Sequence, residues 1–302
     1  MYHFIGIKGA GMSSLAVIMK QLGYSVEGSD IAKHFFTEAE LIKNNIPIMT
    51  YDEKNITSDL TIFRGLSITS ENPELIAAKK LNLKIIDYNE MVGLLTKEFK
   101  TICVAGCHRK TTTTSMISHV LDEIEGINYL IGDGTGVVLK GSNNFVVESC
   151  EFNRHFLNYY PKYTIITNIF YDHVDCYNNI EEIIETFQKF VDQTKETVIG
   201  CGDNGNVRKL KNDKIIYYGF NEDNDVRGVI KELREDGSSF DVYIKGEFFG
   251  SFDISIFGKH MIENALACIY MSYLEGVSLE DITKYLKEFH GAKRRFSEEK
   301  IG

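Results

Sequence analysis

The sequence predicts an α/β protein: a first unit built on a parallel sheet, then a second α/β unit carrying an antiparallel meander. Three observations lead there. Short apolar strands alternate with helical stretches from residue 2 to about 98, the pattern of βαβ units. The alternation restarts at "KTICVAG" (100–106) and runs to "KIIYYG" (214–219). From about residue 225 it gives way to "DVRGVIKEL", "SSFDVYIKG" and "EFFGSFDISI". These are strand-like stretches joined by turns rich in Gly, Asp and Ser.

Taken in order, "YHFIGI" (2–7) is a buried strand, 11–22 a helix, and "YSVEGSD" a strand ending in Asp30. A helix over 37–45 follows, then strands at "IPIM" and "DLTIF", a helix over 73–81 opened by Pro73, the strand "LKIID" and a helix over 89–97. The first domain is thus 1–98. The second, 99–291, holds a helix over 111–123, strands at "NYLIGDG", "NFVVES" and "YTIITNI", and an amphipathic helix over 179–193. "ETVIGCG", "KIIYYG", the meander and helices over 260–275 and 279–288 complete it. The chain stops in "GAKRRFSEEKIG", a charged segment that reads as a linker.

Composition narrows the function. At 302 residues the chain exceeds one ordinary core and implies at least two domains. A formal charge of −10 argues against a nucleic-acid binder, since the one dense basic cluster is Lys293-Arg294-Arg295. An acidic protein still binds anions through helix N-termini, glycine loops and single lysines. The 6 cysteines form no CxxC pair, so a disulfide framework or zinc knuckle is not expected and a reducing cytoplasmic setting is. The N-terminus has no basic start and carries a glycine turn, unlike a signal peptide. No apolar run reaches the roughly 18 residues of a membrane helix, so membrane insertion is not expected.

Two glycine loops carry the chemistry. The first, "GIKGAGM" (6–12), joins a strand to a helix. Its glycines admit an anionic group to the helix N-terminus, and Asp30 is placed to bond a ribose or base. It resembles a nicotinamide-dinucleotide fingerprint, but the spacing is GxxGxG rather than GxGxxG, and a tight turn without ligand is the bland alternative. The second is Gly106-Cys107-His108-Arg109-Lys110-Thr111. Lys110 is suited to terminal phosphates and Thr111 to a magnesium ion, although the spacing is shorter than GxxxxGK[ST]. A polar helix start capped by threonine is the alternative. Downstream, "VVESCEF" sets Glu148 and Glu151 after one strand, and "TIITNIFYDHVD" sets Asn168, Asp172, His173 and Asp175 after another. Ligands of parallel sheets sit beyond the carboxyl ends of strands, so these residues point to one crevice. Oxygen donors with one imidazole suit Mg²⁺ or Mn²⁺. Cys107, at a helix start where a thiol pKa can fall, also reads as a small turn filler.

"GIKGAGM", "GSD" (28–30), "GCHRKTTTT", "ESCE", "TNIFYDHVD", "GKHMIENALA" and "KRRF", in that order, resemble the Mur ligases over essentially the whole chain. The resemblance implies a Rossmann-like UDP-sugar domain, a central ATP-binding domain of the P-loop type, and 292–302 as a hinge to a third domain outside these residues. It implies an ATP-dependent ligase of peptidoglycan precursor synthesis that adds L-alanine to UDP-N-acetylmuramate through an acyl phosphate. On that view this chain binds UDP-sugar without turning over alone, as a monomer or weak homodimer. The resemblance places ATP on Gly106 through Thr112, with Asn168, His260, Asn264 and Arg295. It gives catalytic roles to Lys110, Glu151 and His173, with metal ligands Thr111, Glu151 and His173. It places the UDP-sugar on Gly9, Ala10, Gly11, Met12 and Asp30, with Ser67 and Thr69 closing over the diphosphate.

The sequence departs from the family pattern at four places. Arg109 replaces glycine, Phe170 an acid, Met261 an asparagine, and Asn204 an aspartate often found there. A side chain at position 109 costs about 1–3 kcal/mol if φ is positive, and its guanidinium can fill the phosphate pocket or bond the phosphate. The changes fall in or near the nucleotide half and imply altered ATP use. They leave open a ligase relative that keeps the UDP pocket as a binding or regulatory protein. A nicotinamide oxidoreductase leaves the second loop, Glu151 and His173 unexplained.

Overall fold

The computed structural model describes residues 1–139 and 141–291, so Arg295 and the basic cluster around it lie outside the described residues. The chain forms two compact units, Met1–Phe99 with Asn128–Asn143, and Lys100–Ile127 with Asn144 onward.

In the first unit β1 (Tyr2–Ile5), β2 (Val26–Asp30), β3 (Ile48–Thr50), β4 (Thr61–Arg64) and β5 (Ile85–Asp87) form a sheet ordered β3-β2-β1-β4-β5. Every pairing is parallel. The connecting helices are α1 (Ala10–Gln21), α2 (Glu38–Lys43), α3 (Pro73–Lys80) and α4 (Tyr88–Glu98). Chain direction across the sheet reverses beside β1, so the first glycine loop opens at a topological switch point. α1 is apolar almost all round and is buried accordingly, with Leu15, Ala16 and Ile18 fully inaccessible. α3 starts at Pro73 because Asn72 caps it, accepting the amides of Glu74 and Leu75.

The second unit opens with β6 (Lys100–Ala105) and α5 (Lys110–Glu125). The chain then makes a hairpin, β7 (Asn128–Leu130) and β8 (Gly136–Val137). The sequence reading placed this segment in the second domain, yet it groups with the first unit. The cause is local packing: Val138 N–H donates to Gln21 Oε1 at 2.8 Å, and Gly136 lies so close to Ser14 that a Cβ would sit 2.8 Å from its carbonyl oxygen. The second unit resumes with β9 (Asn144–Ser149), β10 (Tyr163–Ile166), α6 (Ile180–Gln193), β11 (Thr197–Cys201) and β12 (Ile215–Gly219). The meander is β13 (Val226–Arg234), β14 (Gly237–Ile244) and β15 (Glu247–Ile254), and α7 (Lys259–Leu274) and α8 (Leu279–Glu288) follow. The strands of this unit run in the order β15-β14-β13-β12-β11-β10-β6-β9. Pairing is parallel from β9 to β13 and antiparallel through the meander.

Register decides where the site lies. Ala105 pairs with Ser149 on one side and Ile166 on the other, so β6, β9 and β10 end level. The segments that follow them leave the sheet together. Among the described residues no helix is long and apolar enough to cross a membrane.

Candidate functional site

The loop after β6 is shaped by two side chains that follow β10. Asn168 Oδ1 accepts the His108 amide at 2.9 Å, and its Nδ2 donates to the His108 carbonyl at 3.0 Å. Thr167 Oγ1 donates to the same carbonyl at 2.7 Å. Gly106 passes directly over this pair with φ 138°, and a Cβ there would meet Thr167 Oγ1 at 2.1 Å. Only glycine fits. Asn168, expected to contact nucleotide, is buried and committed to the loop backbone.

Arg109 is the last residue before α5 and adopts the left-handed conformation, φ 68° and ψ 6°. A left-handed backbone at a residue with a side chain costs about 1–3 kcal/mol. Its guanidinium forms an ion pair with Glu263, in the second turn of α7. Burial opposes the charge, but the Glu263 carboxylate outweighs it and raises the arginine pKa. No sequence motif signals Glu263, which lies 154 residues away along the chain.

Lys110 begins α5. Its Nζ donates to Gly106 O at 2.6 Å, Cys107 O at 3.4 Å and Glu151 Oε2 at 3.0 Å. Burial disfavours its charge, but the Glu151 carboxylate overcomes this and lifts its pKa above the ordinary lysine value. Glu151 is itself fully buried. Its second oxygen, Oε1, has no hydrogen-bond partner and faces His173 Nε2 at 3.4 Å. His173 sits at φ 53°, its amide bonded to Asp172 and its ring edge-on to Phe152 at 5.1 Å. Sequence reading grouped Thr111 with Glu151 and His173. The structure instead bonds the Thr111 hydroxyl to Glu148 Oε1 at 3.1 Å. Thr113, Thr114 and Ser115 turn their hydroxyls back to carbonyls four residues earlier, which spends them on helix start. Thr112 is half-buried beside them.

Among the described residues no three His, Cys, Asp or Glu side chains gather tightly enough to hold a metal by themselves. Yet a buried carboxylate oxygen without a partner, next to an imidazole, is a donor set that a hard divalent cation would complete together with substrate oxygens. The residues fit such an ion.

Phe170, half-exposed where an acid was expected, tilts against His108 with ring centroids 5.7 Å apart. Cys107 donates to the Phe170 carbonyl at 3.2 Å, and burial pushes its thiol up to about 11. Its sulfur also accepts the Phe170 amide at 3.2 Å, so the side chain braces the turn against the segment after β10. Asn264 is buried, with its amide 3.8 Å from Met261 Sδ, while His260 is exposed and folded against Gly258. Asn204 accepts the amides of Asn206 and Val207 at 3.1 Å and shapes its own turn.

The first unit has a cavity of about 620 Å³ above its glycine loop. Gly9, Ala10, Asp30, Ser67 and Thr69, expected to hold the UDP-sugar, line it with Phe35 and Phe36. Gly11 and Met12 do not line it. A Cβ on Gly11 would touch the Tyr88 ring at 2.9 Å, and Met12 is a core side chain. Asp30 accepts the amides of Lys8 and Ile31, each at 2.8 Å, so it also fixes the loop. Lys8 Nζ reaches the carbonyls of Ile31 and Lys33 at 2.9 Å and Glu38 at 3.0 Å, tying down the segment that carries both phenylalanines.

A glycine loop at a sheet switch point, and a strand–loop–lysine–helix unit facing a buried glutamate, define an α/β protein of the phosphate-binding-loop class. Family comparison is more specific. Residues 1–100 match the Mur ligase family catalytic domain and residues 104–272 the Mur ligase middle domain, and the chain belongs to the Mur ligase family. UDP-N-acetylmuramate-alanine ligase MurC from Thermotoga maritima is 27% identical, with a TM-score of 0.85 over 98% of this chain and 70% of that one. UDP-N-acetylmuramate:L-alanyl-gamma-D-glutamyl-meso-diaminopimelate ligase from Neisseria meningitides shares the fold at 24% identity and a TM-score of 0.85, covering 97% and 99%. A pseudomurein peptide ligase type C from Methanothermus fervidus shares it at 20% identity and 0.67, covering 95% and 70%.

Proposed function

We propose that the chain belongs to an ATP-dependent carbon–nitrogen ligase of peptidoglycan precursor synthesis that joins L-alanine to UDP-N-acetylmuramate. The observation that carries this is the Lys110–Glu151–His173 group at the level ends of β6, β9 and β10. Family membership and the likeness to the Thermotoga ligase support the substrate assignment.

In this reading the muramate carboxylate takes the γ-phosphoryl group of ATP, giving an acyl phosphate and ADP. The amine of L-alanine then adds to the acyl carbon, the amide forms and inorganic phosphate leaves. Such chemistry needs positioning and charge neutralisation more than covalent help. Lys110 is the cation for the β- and γ-phosphates, exchanging its carbonyl partners for phosphate oxygens. A magnesium or manganese ion, when bound, supplies further charge neutralisation. Glu151 and His173 would hold it, with Thr111 reaching it once released from Glu148. Asn168 and Gly106 hold the loop open-backed. In this reading His260 and Asn264 would contact the adenine, and Arg295, outside the described residues, would contact the ribose or phosphates. The cavity over the first glycine loop takes the UDP-sugar, its diphosphate meeting the α1 N-terminus and the Ser67–Thr69 turn.

Calorimetric titration with ATP–Mg²⁺ tests this. Micromolar binding is expected, and Lys110→Ala should abolish it. Full affinity in that variant would refute the assignment of the loop.

A further inference from the structure

Arg109 and Lys110 are adjacent cations, and each is held by one carboxylate, Glu263 and Glu151 respectively. Their situations differ. Lys110 also spends its ammonium on two loop carbonyls. The backbone of Arg109 is fixed, because its carbonyl accepts both the amide and the hydroxyl of Thr113, at 3.1 and 3.0 Å. Its side chain is tied to a different element, α7, the helix that also carries His260 and Asn264. The guanidinium is therefore the movable part of a fixed turn. A guanidinium fork matches phosphate oxygens in pairs as well as it matches a carboxylate.

We propose that Glu263 is a positioning residue that competes with the nucleotide for Arg109, and so sets the affinity of the phosphate loop. The proposal rests on the reading that this loop binds ATP. With the ion pair formed, Arg109 draws the loop to α7 and its charge is neutralised. When a triphosphate enters, the guanidinium transfers from the Glu263 carboxylate to phosphate oxygens, and Glu263, whose side chain is only 15% exposed, loses that partner. A glycine at position 109 would have no such side chain, so Arg109 adds a phosphate ligand and Glu263 is its competitor.

The test is calorimetric titration of ATP–Mg²⁺, at low and high salt, into the unaltered chain, Glu263→Gln, Arg109→Gly and the double variant. Glu263→Gln keeps the side-chain shape and removes the competing charge. It should tighten binding by about fivefold to tenfold, with a steeper loss of affinity in salt. In the Arg109→Gly background the same substitution should change affinity less than about twofold, because the two residues act as a pair. A merely bracing role predicts weaker binding in Glu263→Gln. Unchanged or weaker binding there, with Lys110→Ala still abolishing the signal, would overturn the competition and leave the nucleotide assignment intact. Tightening that persists without Arg109 would also overturn it. Failure of every variant to bind ATP–Mg²⁺ would overturn both readings together.

Discussion

Asn168 shows what a single side chain does to a phosphate loop. It bonds both polar groups of the His108 peptide and leaves no amide atom aimed outward. Asn168→Ala leaves a partly buried amide and carbonyl to find new partners, which costs about 1–3 kcal/mol of local order. The expected result is ATP–Mg²⁺ affinity reduced about tenfold or more, with only a modest fall in melting temperature. Calorimetry and a thermal melt measure the two, and an unchanged affinity would mean that the loop keeps its shape without the clasp. Sequence reading placed Asn168 beside the phosphate loop, because it follows an apolar strand in a parallel sheet, and the structure bonds it to the His108 backbone. It did not show what the side chain touches. The same limit applies to Arg109. Its identity was visible as an anomaly, and the cost of a positive φ was foreseeable, but the carboxylate that receives it sits on a helix far along the chain. Pairing over that distance is decided by packing of α5 against α7, for which a local motif has no signal.

At the scale of elements the sequence was more legible, because periodicity and caps are local. Asn179, at the start of α6, accepts the Glu182 amide at 2.9 Å, and two glutamates fill the first turn of a strongly amphipathic helix. Asn179→Ala should lower stability by about 1 kcal/mol, read as an earlier midpoint in urea unfolding with an unchanged slope. That the residues after β6, β9 and β10 point to one crevice was expected, since each strand is an apolar run closed by polar residues, but their level ends follow from register. The segment Phe152–Asn158 was not. It is a 3-10 stretch interrupted by Asn153 and Arg154 at φ 48° and 59°. Arg154 is held there by an ion pair to Glu182 and by stacking over the Tyr177 ring at 5.0 Å. These tertiary contacts override local preference, and they make Arg154 a packing residue of the second unit. The strand at β7 was expected, but the grouping of the β7–β8 hairpin with the first unit was not, for a related reason. Its strands are short, and its allegiance is set by contacts with α1.

For the molecule as a whole, the first unit carries its own pH response. His3 and Glu74 are fully buried under its sheet. His3 Nδ1 lies 3.1 Å from Glu27, and Nε2 lies 3.3 Å from both Ser29 and Glu74. Glu74 also accepts from Ser29, from Asn55 Nδ2 at 2.6 Å and from the Asp52 amide at 3.2 Å. Burial disfavours the imidazolium, but the two glutamates more than compensate, and the His3 pKa rises above its ordinary 6.5. Burial works against the Glu74 carboxylate too, and His3, Ser29 and Asn55 outweigh it, so its pKa falls below 4.5. A raised histidine pKa contributes stability that is complete below the unfolded value of 6.5 and disappears as pH rises through the higher folded value. A depressed carboxylate pKa contributes stability that is complete above 4.5 and disappears as pH falls through the lower folded value. Both contributions are whole only between pH 4.5 and 6.5. Hydrogen exchange on peptides from the first unit should therefore show greatest protection against unfolding in that window, after correction for intrinsic exchange rates. His3→Gln should flatten the alkaline side while leaving the second unit's exchange unaltered. An alkaline limb that persists in His3→Gln would assign the response to another group. Ser29 directly precedes Asp30, which holds the first glycine loop through the Lys8 amide. Loss of the buried pair at alkaline pH should then weaken UDP-sugar binding in parallel with protection, coupling the stability of the first unit to the occupancy of its cavity.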